Sequence, residues 1–228
     1  MTIPLFDGRS FAAVLFDMDG TVLNSLAATQ RVWRRWAARF GLDAHAVLRH
    51  IPGRRALDTV RALDLPGVDA AAEADEILRM EMEDVAGIHP VSGVHEFLES
   101  LAGGRWAIVT SAPPELAARR LEAAGLTPPA VLITADHIAR GKPDPACFQL
   151  AAGRLGVDVA DCVVFEDAPA GIQAGEAAGA QVIVITAAHE QPLPTRHPAF
   201  ASFEGLRAQV ADGRIRILKR PAPPRAAG

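Results

Sequence analysis

The sequence has few cysteines, no excess of basic residues and no long apolar segment, and each absence excludes a class of protein. Its 2 cysteines among 228 residues cannot form a disulfide framework, so we expect a reducing cytoplasm. Lys and Arg number 23 against 27 Asp and Glu, and the net charge of −4 argues against a dedicated nucleic-acid-binding protein. No apolar run reaches the roughly 18 residues of a membrane helix. The first ten residues do not have the pattern of a secretory signal, so we expect no membrane partner.

The sequence does contain enough apolar residues for a substantial core. Hydrophobic residues make up 50% of the chain and charged residues 22%, which excludes disorder throughout. The length suits one large domain, or a core domain with a smaller one inserted, that needs no disulfide or structural metal. We expect a monomer or a weak homodimer.

Short apolar runs near the start of the chain and after Pro90 predict a parallel sheet. Residues 12–17 form an apolar run without periodicity that ends on Asp17, which is typical of a strand buried on both faces. After Pro90, further strands are predicted at 106–110, 131–133, 162–165 and 182–185, and helices at 94–101, 113–124, 146–155 and 168–178. This alternation indicates an α/β fold with a doubly wound, mainly parallel sheet.

The segment between Asp19 and Pro90 interrupts this alternation with helices alone. Apolar periodicity predicts helices at 26–40, 44–48, 54–63 and 69–86, with Trp33 and Trp36 packed inside. We therefore predict an inserted helical cap at residues 23–89 and an α/β core formed by residues 1–22 and 90–218. Residues 219–228 are rich in proline and lack periodicity, and we expect a loose tail there.

Carboxylate, hydroxyl and amino groups follow the ends of the predicted strands. They belong to Asp17, Asp19, Thr110, Ser111, Lys142, Glu166 and Asp167. Because ligands of open α/β sheets collect at the carboxyl ends of the strands, we expect these side chains to meet at one edge. Converging carboxylates repel each other unless a cation lies among them, and such hard oxygen ligands favour Mg²⁺. The lysine and the hydroxyl groups suit an anion such as phosphate.

Four segments, in this order along the chain, resemble the four motifs of the haloacid dehalogenase-like hydrolases. They are Phe16-Asp-Met-Asp-Gly-Thr21, Val109-Thr-Ser111, Gly141-Lys-Pro143 and Val164-Phe-Glu-Asp-Ala-Pro-Ala-Gly-Ile172. The resemblance implies the Rossmann-like core of that family. A helical cap between the first two motifs resembles the class that includes beta-phosphoglucomutase and small sugar or polyol phosphatases.

The resemblance also implies roles for the carboxylates. Asp17 would be the nucleophile that forms an aspartyl-phosphate, and Asp19 would act as general acid and then as general base. Mg²⁺ would be held by Asp17, the backbone carbonyl of Asp19, Asp167 and, directly or through water, Glu166. An acid at position 19 favours phosphate monoester chemistry over carbon–halogen cleavage and over the reaction of the ion pumps.

The phosphoryl group would be bound by Lys142 and by a hydroxyl of the second motif. Thr110 and Ser111 both fit that motif, and the sequence leaves the choice between them open. Transition-state charge on the phosphoryl oxygens would be stabilised by these donors.

A loop in the predicted cap is the expected source of substrate specificity. Residues 52–60 resemble the G-x-R-x-x-D substrate loop of small sugar and polyol phosphatases, which makes Gly53, Arg54 and Arg55 candidate binding residues. Arg55 would bind a distal hydroxyl or a second phosphate, and a solvated start of a helix is the alternative. Asn24 departs from the aspartate that relatives often have at its position.

These observations predict an enzyme, a Mg²⁺-dependent phosphatase for a small phosphorylated sugar or polyol. One alternative is a hexose-phosphate mutase, which would return the phosphoryl group to the sugar. The core motifs do not separate these two reactions, since the difference lies in how well the cap excludes water. The cap loop favours the phosphatase. A non-catalytic relative that binds a phosphorylated metabolite is the third possibility.

Overall fold

A six-stranded parallel sheet forms the centre of the molecule in a computed structural model, which describes residues 2–189 and 193–221. The strands in chain order are β1 (Ile3–Pro4), β2 (Ala13–Phe16), β3 (Leu23–Asn24), β4 (His89–Pro90), β5 (Arg105–Val109), β6 (Leu132–Ile133), β7 (Cys162–Glu166), β8 (Gln181–Ile185), β9 (Ala199–Phe200), β10 (Leu206–Ala211) and β11 (Arg214–Lys219). The central sheet has the order β6-β5-β2-β7-β8-β9, and each neighbouring pair is parallel.

Helices cover both faces of this sheet. The helices in chain order are α1 (Leu26–Arg39), α2 (Ala44–Leu48), α3 (Ala56–Ala62), α4 (Ala70–Glu83), α5 (Val94–Ser100), α6 (Pro114–Ala123), α7 (Ala146–Arg154) and α8 (Pro169–Ala177). Short 3₁₀ helices span Phe6–Gly8, Ala135–His137 and Val159–Asp161.

Alternate residues of each central strand belong to two separate hydrophobic cores. In β2, Val14 and Phe16 pack on the side of α5 and α6, whereas Ala13 and Leu15 pack on the side of α7 and α8. Strands buried on both faces explain why their sequences are continuous apolar runs without alternation. The predicted α/β class and doubly wound sheet are confirmed.

A second sheet, which the sequence analysis did not predict, covers one edge of the core. Strands β1, β11 and β10 form an antiparallel sheet, and Asp212 and Gly213 make the turn between β10 and β11 with positive φ angles. Ile215 and Ile217 of β11 pack into the same core as Phe16. Strand β11 includes residue 219, the first of the predicted tail, and residues 222–228 of that tail lie outside the described residues.

The helices α1 to α4 form a bundle with a hydrophobic core of its own. Trp33 and Trp36 are fully buried there against Ile77 and Met80, as the sequence predicted. The bundle joins the α/β core through β3 and β4, which form a short antiparallel pair. An inserted helical cap is therefore present, and its predicted bounds at 23 and 89 remain a prediction.

Two features of the structure concern membrane-spanning helices and disulfide bonds, both of which the composition argues against. No helix within residues 2–189 and 193–221 is long and apolar enough to cross a membrane. Cys147 and Cys162 are both buried free thiols, as expected of a chain without a disulfide framework.

Candidate active site

Lys142 lies at the centre of a buried cluster of carboxylates at the carboxyl edge of the central sheet. Its Nζ is 2.5 Å from Oδ1 of Asp17 and 2.7 Å from Oε1 of Glu166, and it donates to the backbone carbonyl of Val109 at 3.3 Å. The Lys142 side chain is 1% exposed. A buried ammonium group with two carboxylate partners is well compensated for the loss of water.

The strands β2, β5 and β7 bring these groups together because they are adjacent and parallel. Asp17 follows β2 and its N–H donates to the carbonyl of Phe165, while Glu166 is the last residue of β7. Lys142 reaches the same edge from the loop between β6 and α7. Ligand atoms of Asp17, Glu166 and Asp167 all lie within 4.8 Å of one another. The fold thus brings Asp17, Lys142, Glu166 and Asp167 together at one edge.

Both carboxylate oxygens of Glu166 accept hydrogen bonds from other groups of the protein. Oε1 accepts from Lys142, and Oε2 accepts the backbone N–H groups of Asp167 and Ala168 at 2.7 and 2.8 Å. Gly171 in the first turn of α8 makes room for this carboxylate, since a Cβ there would lie 1.5 Å from Oε1. These contacts hold Glu166 in place against Lys142.

Asp167 faces the loop that follows Asp17. A Cβ on Gly20 would lie 2.1 Å from Oδ2 of Asp167, and Gly20 also has a φ of +91°, so only glycine fits at this position. The hydroxyl of Thr21 lies 3.4 Å from Oδ1 of Asp167. His189, in the loop after β8, places Nε2 2.9 Å from the backbone carbonyl of Asp167.

Burial perturbs the protonation of this cluster. Burial raises the pKa of Asp17 to about 7, although Lys142 opposes the change and Glu166 adds to it. Burial, followed by repulsion from Glu166 and Asp17, raises the pKa of Asp167 well above its ordinary value. Burial would lower the pKa of Lys142, but the carboxylates of Asp17 and Glu166 raise it above its ordinary value. Burial and mutual repulsion oppose the simultaneous ionisation of these carboxylates. An additional positive charge between them would stabilise their ionised forms.

The donor set fits a divalent cation that prefers oxygen. Asp17 and Asp167 have carboxylate oxygens that Lys142 does not occupy, and repulsion between them is what a bound cation would relieve. Glu166 belongs to the same group by distance, but its oxygens are already hydrogen-bonded.

Asp19 lies at the border between the core and the cap. Its Oδ1 accepts from the hydroxyl of Ser25 at 2.6 Å and lies 3.0 Å from Nη1 of Arg120. Arg120 belongs to α6 of the core and also contacts Glu81 of α4. Asn24, the residue that departs from the family pattern, accepts the N–H of Leu26, the first residue of α1.

The two hydroxyl groups of the second motif have different partners. Thr110 is buried directly after β5, and its Oγ1 accepts the N–H of Ala112. Ser111 donates its hydroxyl to the backbone carbonyl of Gly53 at 2.9 Å. The hydroxyl proton of Ser111 is thus directed to the cap loop.

The cap loop rests on the core at the same edge. A Cβ on Gly53 would lie 2.9 Å from Cβ of Ala168, so the loop approaches the fourth motif closely. Arg55 makes a bidentate ion pair with Asp58, and its Nη1 donates to the carbonyls of Ile138 and Ala139 at 3.3 and 3.2 Å.

Arg55 therefore lies at the start of α3 with its guanidinium group bonded to Asp58 and to two backbone carbonyls, and its role in substrate binding stays a prediction. Arg54, the other candidate arginine, is exposed. Helix α3 begins at Ala56, two residues later than predicted, because Arg55 has an extended backbone.

Sequence reasoning missed Arg120, Glu81 and His189. Nothing local marks Arg120 or Glu81, since each lies on a helix and only the packing of α6 against α4 joins them. His189 could have been found, because it follows β8 at the edge where the other groups meet.

A parallel α/β core that gathers carboxylates around a lysine beneath a helical insertion defines a class of enzymes that act on small anionic substrates. The family model of the haloacid dehalogenase-like hydrolases matches residues 11–179, and the chain belongs to this family. The family resemblance and the prediction of an enzyme are confirmed.

Several curated proteins are similar to this chain over most of its length. Hexitol phosphatase A of Escherichia coli is 42% identical over 183 residues, which are 78% of this chain and 84% of that protein. A fructose-1-phosphate phosphatase of Escherichia coli is 33% identical over 182 residues, covering 76% of this chain and 95% of that protein.

Solved structures share the fold. CbbY from Rhodobacter sphaeroides in complex with xylulose-(1,5)bisphosphate has a TM-score of 0.71 at 21% identity, with 85% of this chain and 95% of that chain covered. At this identity the likeness concerns the fold alone.

Proposed function

We propose that this protein is a Mg²⁺-dependent phosphatase that hydrolyses monoesters of small sugars or polyols through an aspartyl-phosphate. The observation that carries the proposal is the position of Asp17, a buried carboxylate 2.5 Å from Lys142 and close to Asp167. A carboxylate nucleophile beside a fixed cation suits attack on a phosphoryl group, because the repulsion between the two anions is reduced.

The first step transfers the phosphoryl group to the protein. A carboxylate oxygen of Asp17 attacks phosphorus, the bond between phosphorus and the ester oxygen breaks, and the leaving alkoxide takes a proton from Asp19. The products are the aspartyl-phosphate and a free alcohol.

The second step returns the protein to its starting state. Asp19, now ionised, takes a proton from water as the water oxygen attacks phosphorus. The bond between phosphorus and the Asp17 oxygen breaks, which releases inorganic phosphate and regenerates the carboxylate.

Other residues of the cluster hold the phosphoryl group. Lys142 neutralises charge on its oxygens, and Thr110 has a hydroxyl at the end of β5 to donate to them. Asp17, the backbone carbonyl of Asp19 and Asp167 would hold Mg²⁺, with Glu166 close by. When bound, Mg²⁺ supplies Lewis acidity and shields the nucleophile from the substrate dianion.

The cap supports a small substrate. Gly53 and Arg55 contact Ser111 and the loop at 138–139, so the cap loop lies against the core at the edge of the sheet. Such a cover excludes bulk water during phosphoryl transfer. Hexitol phosphates are our first choice, because the relative at 42% identity is a hexitol phosphatase. A reducing cytoplasm, in which Cys147 and Cys162 stay free thiols, is the proposed location.

The test is a release assay for inorganic phosphate over a panel of hexitol, hexose and glycerol phosphates, with Mg²⁺ and with a chelator. We expect turnover that needs the cation and that is lost in Asp17→Asn. The control is Asp7→Asn, which changes an exposed carboxylate far from the site and should leave turnover unchanged.

Two outcomes would contradict the proposal. Turnover that survives in Asp17→Asn would exclude the aspartyl-phosphate. Interconversion of hexose phosphate isomers that exceeds phosphate release would favour the mutase instead.

A further inference from the structure

Arg120 links the carboxylate of Asp19 to the cap. It extends from α6 of the core and is only 6% exposed. Nη1 lies 3.0 Å from Oδ1 of Asp19, and Nη2 lies 3.1 Å from Oε1 of Glu81 and 3.2 Å from the hydroxyl of Thr29. Glu81 and Thr29 belong to the cap helices α4 and α1, so one guanidinium group joins both parts of the molecule.

The contacts on Asp19 are one-sided. The Ser25 hydroxyl donates to Oδ1 and Arg120 forms an ion pair with the same oxygen, and among the described residues no hydrogen bond reaches Oδ2. Two contacts on one oxygen restrict the rotation of the carboxylate. The oxygen that remains without a protein donor is the one able to exchange a proton with a substrate or water.

Glu81, the cap residue that pairs with Arg120, is also a buried ionisable residue. Burial raises the pKa of Glu81, although Arg120 opposes the change. Burial would lower the pKa of Arg120, but the carboxylates of Asp19 and Glu81 raise it. A buried ion network of this kind adds little stability compared with apolar packing. Stability alone therefore does not account for the network of Arg120, Asp19 and Glu81.

We propose that Arg120 is a positioning residue that orients Asp19 for proton transfer and does so through its contacts with Glu81 and Thr29 of the cap. Arg120 holds Oδ1 and thereby presents Oδ2. Because the same guanidinium group is anchored on α1 and α4, Asp19 has its working orientation only while the cap lies against the core. This inference rests on the proposed function, in which Asp19 is the general acid.

The test compares two esters that differ in their need for a proton. The alkoxide of sorbitol 6-phosphate must be protonated as it leaves, whereas p-nitrophenolate is a stable anion and leaves without a proton. A loss of Asp19 orientation therefore lowers kcat/KM for the sugar ester selectively, and a general loss of structure lowers it for both.

The variants are Arg120→Met, Arg120→Lys and Glu81→Gln, and the matched control is Arg119→Met. Arg119 is the neighbouring arginine of α6, and it is exposed and paired with Glu122 at 3.1 Å. For Arg120→Met we expect kcat/KM to fall about tenfold to hundredfold for the alkyl ester and less than about threefold for the nitrophenyl ester. Arg120→Lys should fall between this variant and wild type, and Arg119→Met should match wild type.

The kcat/KM values of these variants for the two esters test the role of Arg120. An equal fall for both esters in Arg120→Met, or no fall, would overturn the role of Arg120. Arg120→Lys keeps a buried cation and gives the same two outcomes if Arg120→Met does not fold. Glu81→Gln should show a smaller change in the same direction, and wild-type values for both esters would overturn the link to the cap.

A double variant separates this inference from the proposed function. In an Asp19→Asn background, Arg120→Met should add little further loss, because the group that it orients is gone; additive effects would overturn the proposal. If the wild type hydrolyses no phosphate ester, the proposed function fails, and this inference fails with it. If the wild type is active and the ester ratio of Arg120→Met is unchanged, this inference alone fails.

Discussion

Lys142 and Glu166 form a buried ion pair in which Nζ lies 2.7 Å from Oε1, while Oε2 accepts the first two N–H groups that follow β7. The pair fixes the ammonium group beside Asp17. Glu166 was predicted from the sequence as a metal ligand, and that role stays a prediction. Its hydrogen bonds favour different roles for the two carboxylates, in which Glu166 orients Lys142 and Asp167 binds the cation.

Glu166→Gln and Asp167→Asn separate these roles. Asp167→Asn should raise the Mg²⁺ concentration for half-maximal activity by about tenfold or more, because a charged oxygen ligand is lost. Glu166→Gln should lower kcat with little change in that concentration, because Lys142 loses its charged partner. The measurement is a Mg²⁺ titration of phosphate release for each variant. An equal increase in the Mg²⁺ requirement for Glu166→Gln would identify Glu166 as a ligand.

The raised pKa values of Asp17 and Asp167 predict how pH affects stability. Without metal, the native state binds more protons than the unfolded state between the ordinary carboxyl pKa and about 7, so the free energy of unfolding falls as pH rises through this range. Mg²⁺ binds the ionised carboxylates and should therefore raise Tm more at about pH 8 than at about pH 6.

Thermal unfolding with and without Mg²⁺ at the two pH values measures this linkage. Asp17→Asn removes one of the shifted groups and should reduce the difference between the two values, and Asp7→Asn should leave it unchanged. The same Tm increase at both pH values in the wild type would refute the expectation.

The hydroxyl of the second motif can be assigned with two variants. Thr110→Val should lower kcat by about hundredfold, similar to the loss of one oxyanion donor, because Thr110 lies at the end of β5 next to Val109. Ser111→Ala should have a smaller effect, because the Ser111 hydroxyl donates to Gly53. Steady-state kinetics on one sugar phosphate distinguishes the two, and the reverse order of effects would assign the role to Ser111.

Arg55 is expected to act as a latch between the cap and the core. Arg55→Met removes the bonds to Asp58 and to the carbonyls of Ile138 and Ala139, so the closed arrangement should become less favourable. We expect kcat/KM to fall about tenfold, as for other conformational steps that complete a site. Arg61→Met, on the exposed side of α3, is the control. Wild-type kcat/KM in Arg55→Met would exclude the latch.

The central sheet and its helices could be predicted because their signals are local. Strands buried on both faces are continuous apolar runs, as in β2, in residues 106–109 of β5 and in residues 162–165 of β7. The groups at their carboxyl ends could be placed together because parallel strands share one edge. Asp17, Lys142 and Glu166 are within hydrogen-bond distance for this reason.

The antiparallel sheet was missed although its signal is present. Apolar and polar residues alternate over 206–210 and over 214–217, and Asp212-Gly213 is a sequence typical of a two-residue hairpin turn. The network of Arg120 has no such signal. It depends on how α6 meets α4 and α1, and the positions of these helices are set by packing across the boundary between core and cap.

The paired strands β3 and β4 have a consequence for protein engineering. Chain entry into the helical insertion and chain exit from it lie side by side, since Leu23 is opposite Pro90 and Asn24 is opposite His89. Neighbouring antiparallel positions are about 5 Å apart, so any replacement module whose two ends are equally close could be spliced in here without stretching the sheet. Chimeric proteins with exchanged insertions are therefore a route to new substrate preferences, provided that the new module keeps counterparts of Ser25, Thr29 and Glu81, which contact Asp19 and Arg120.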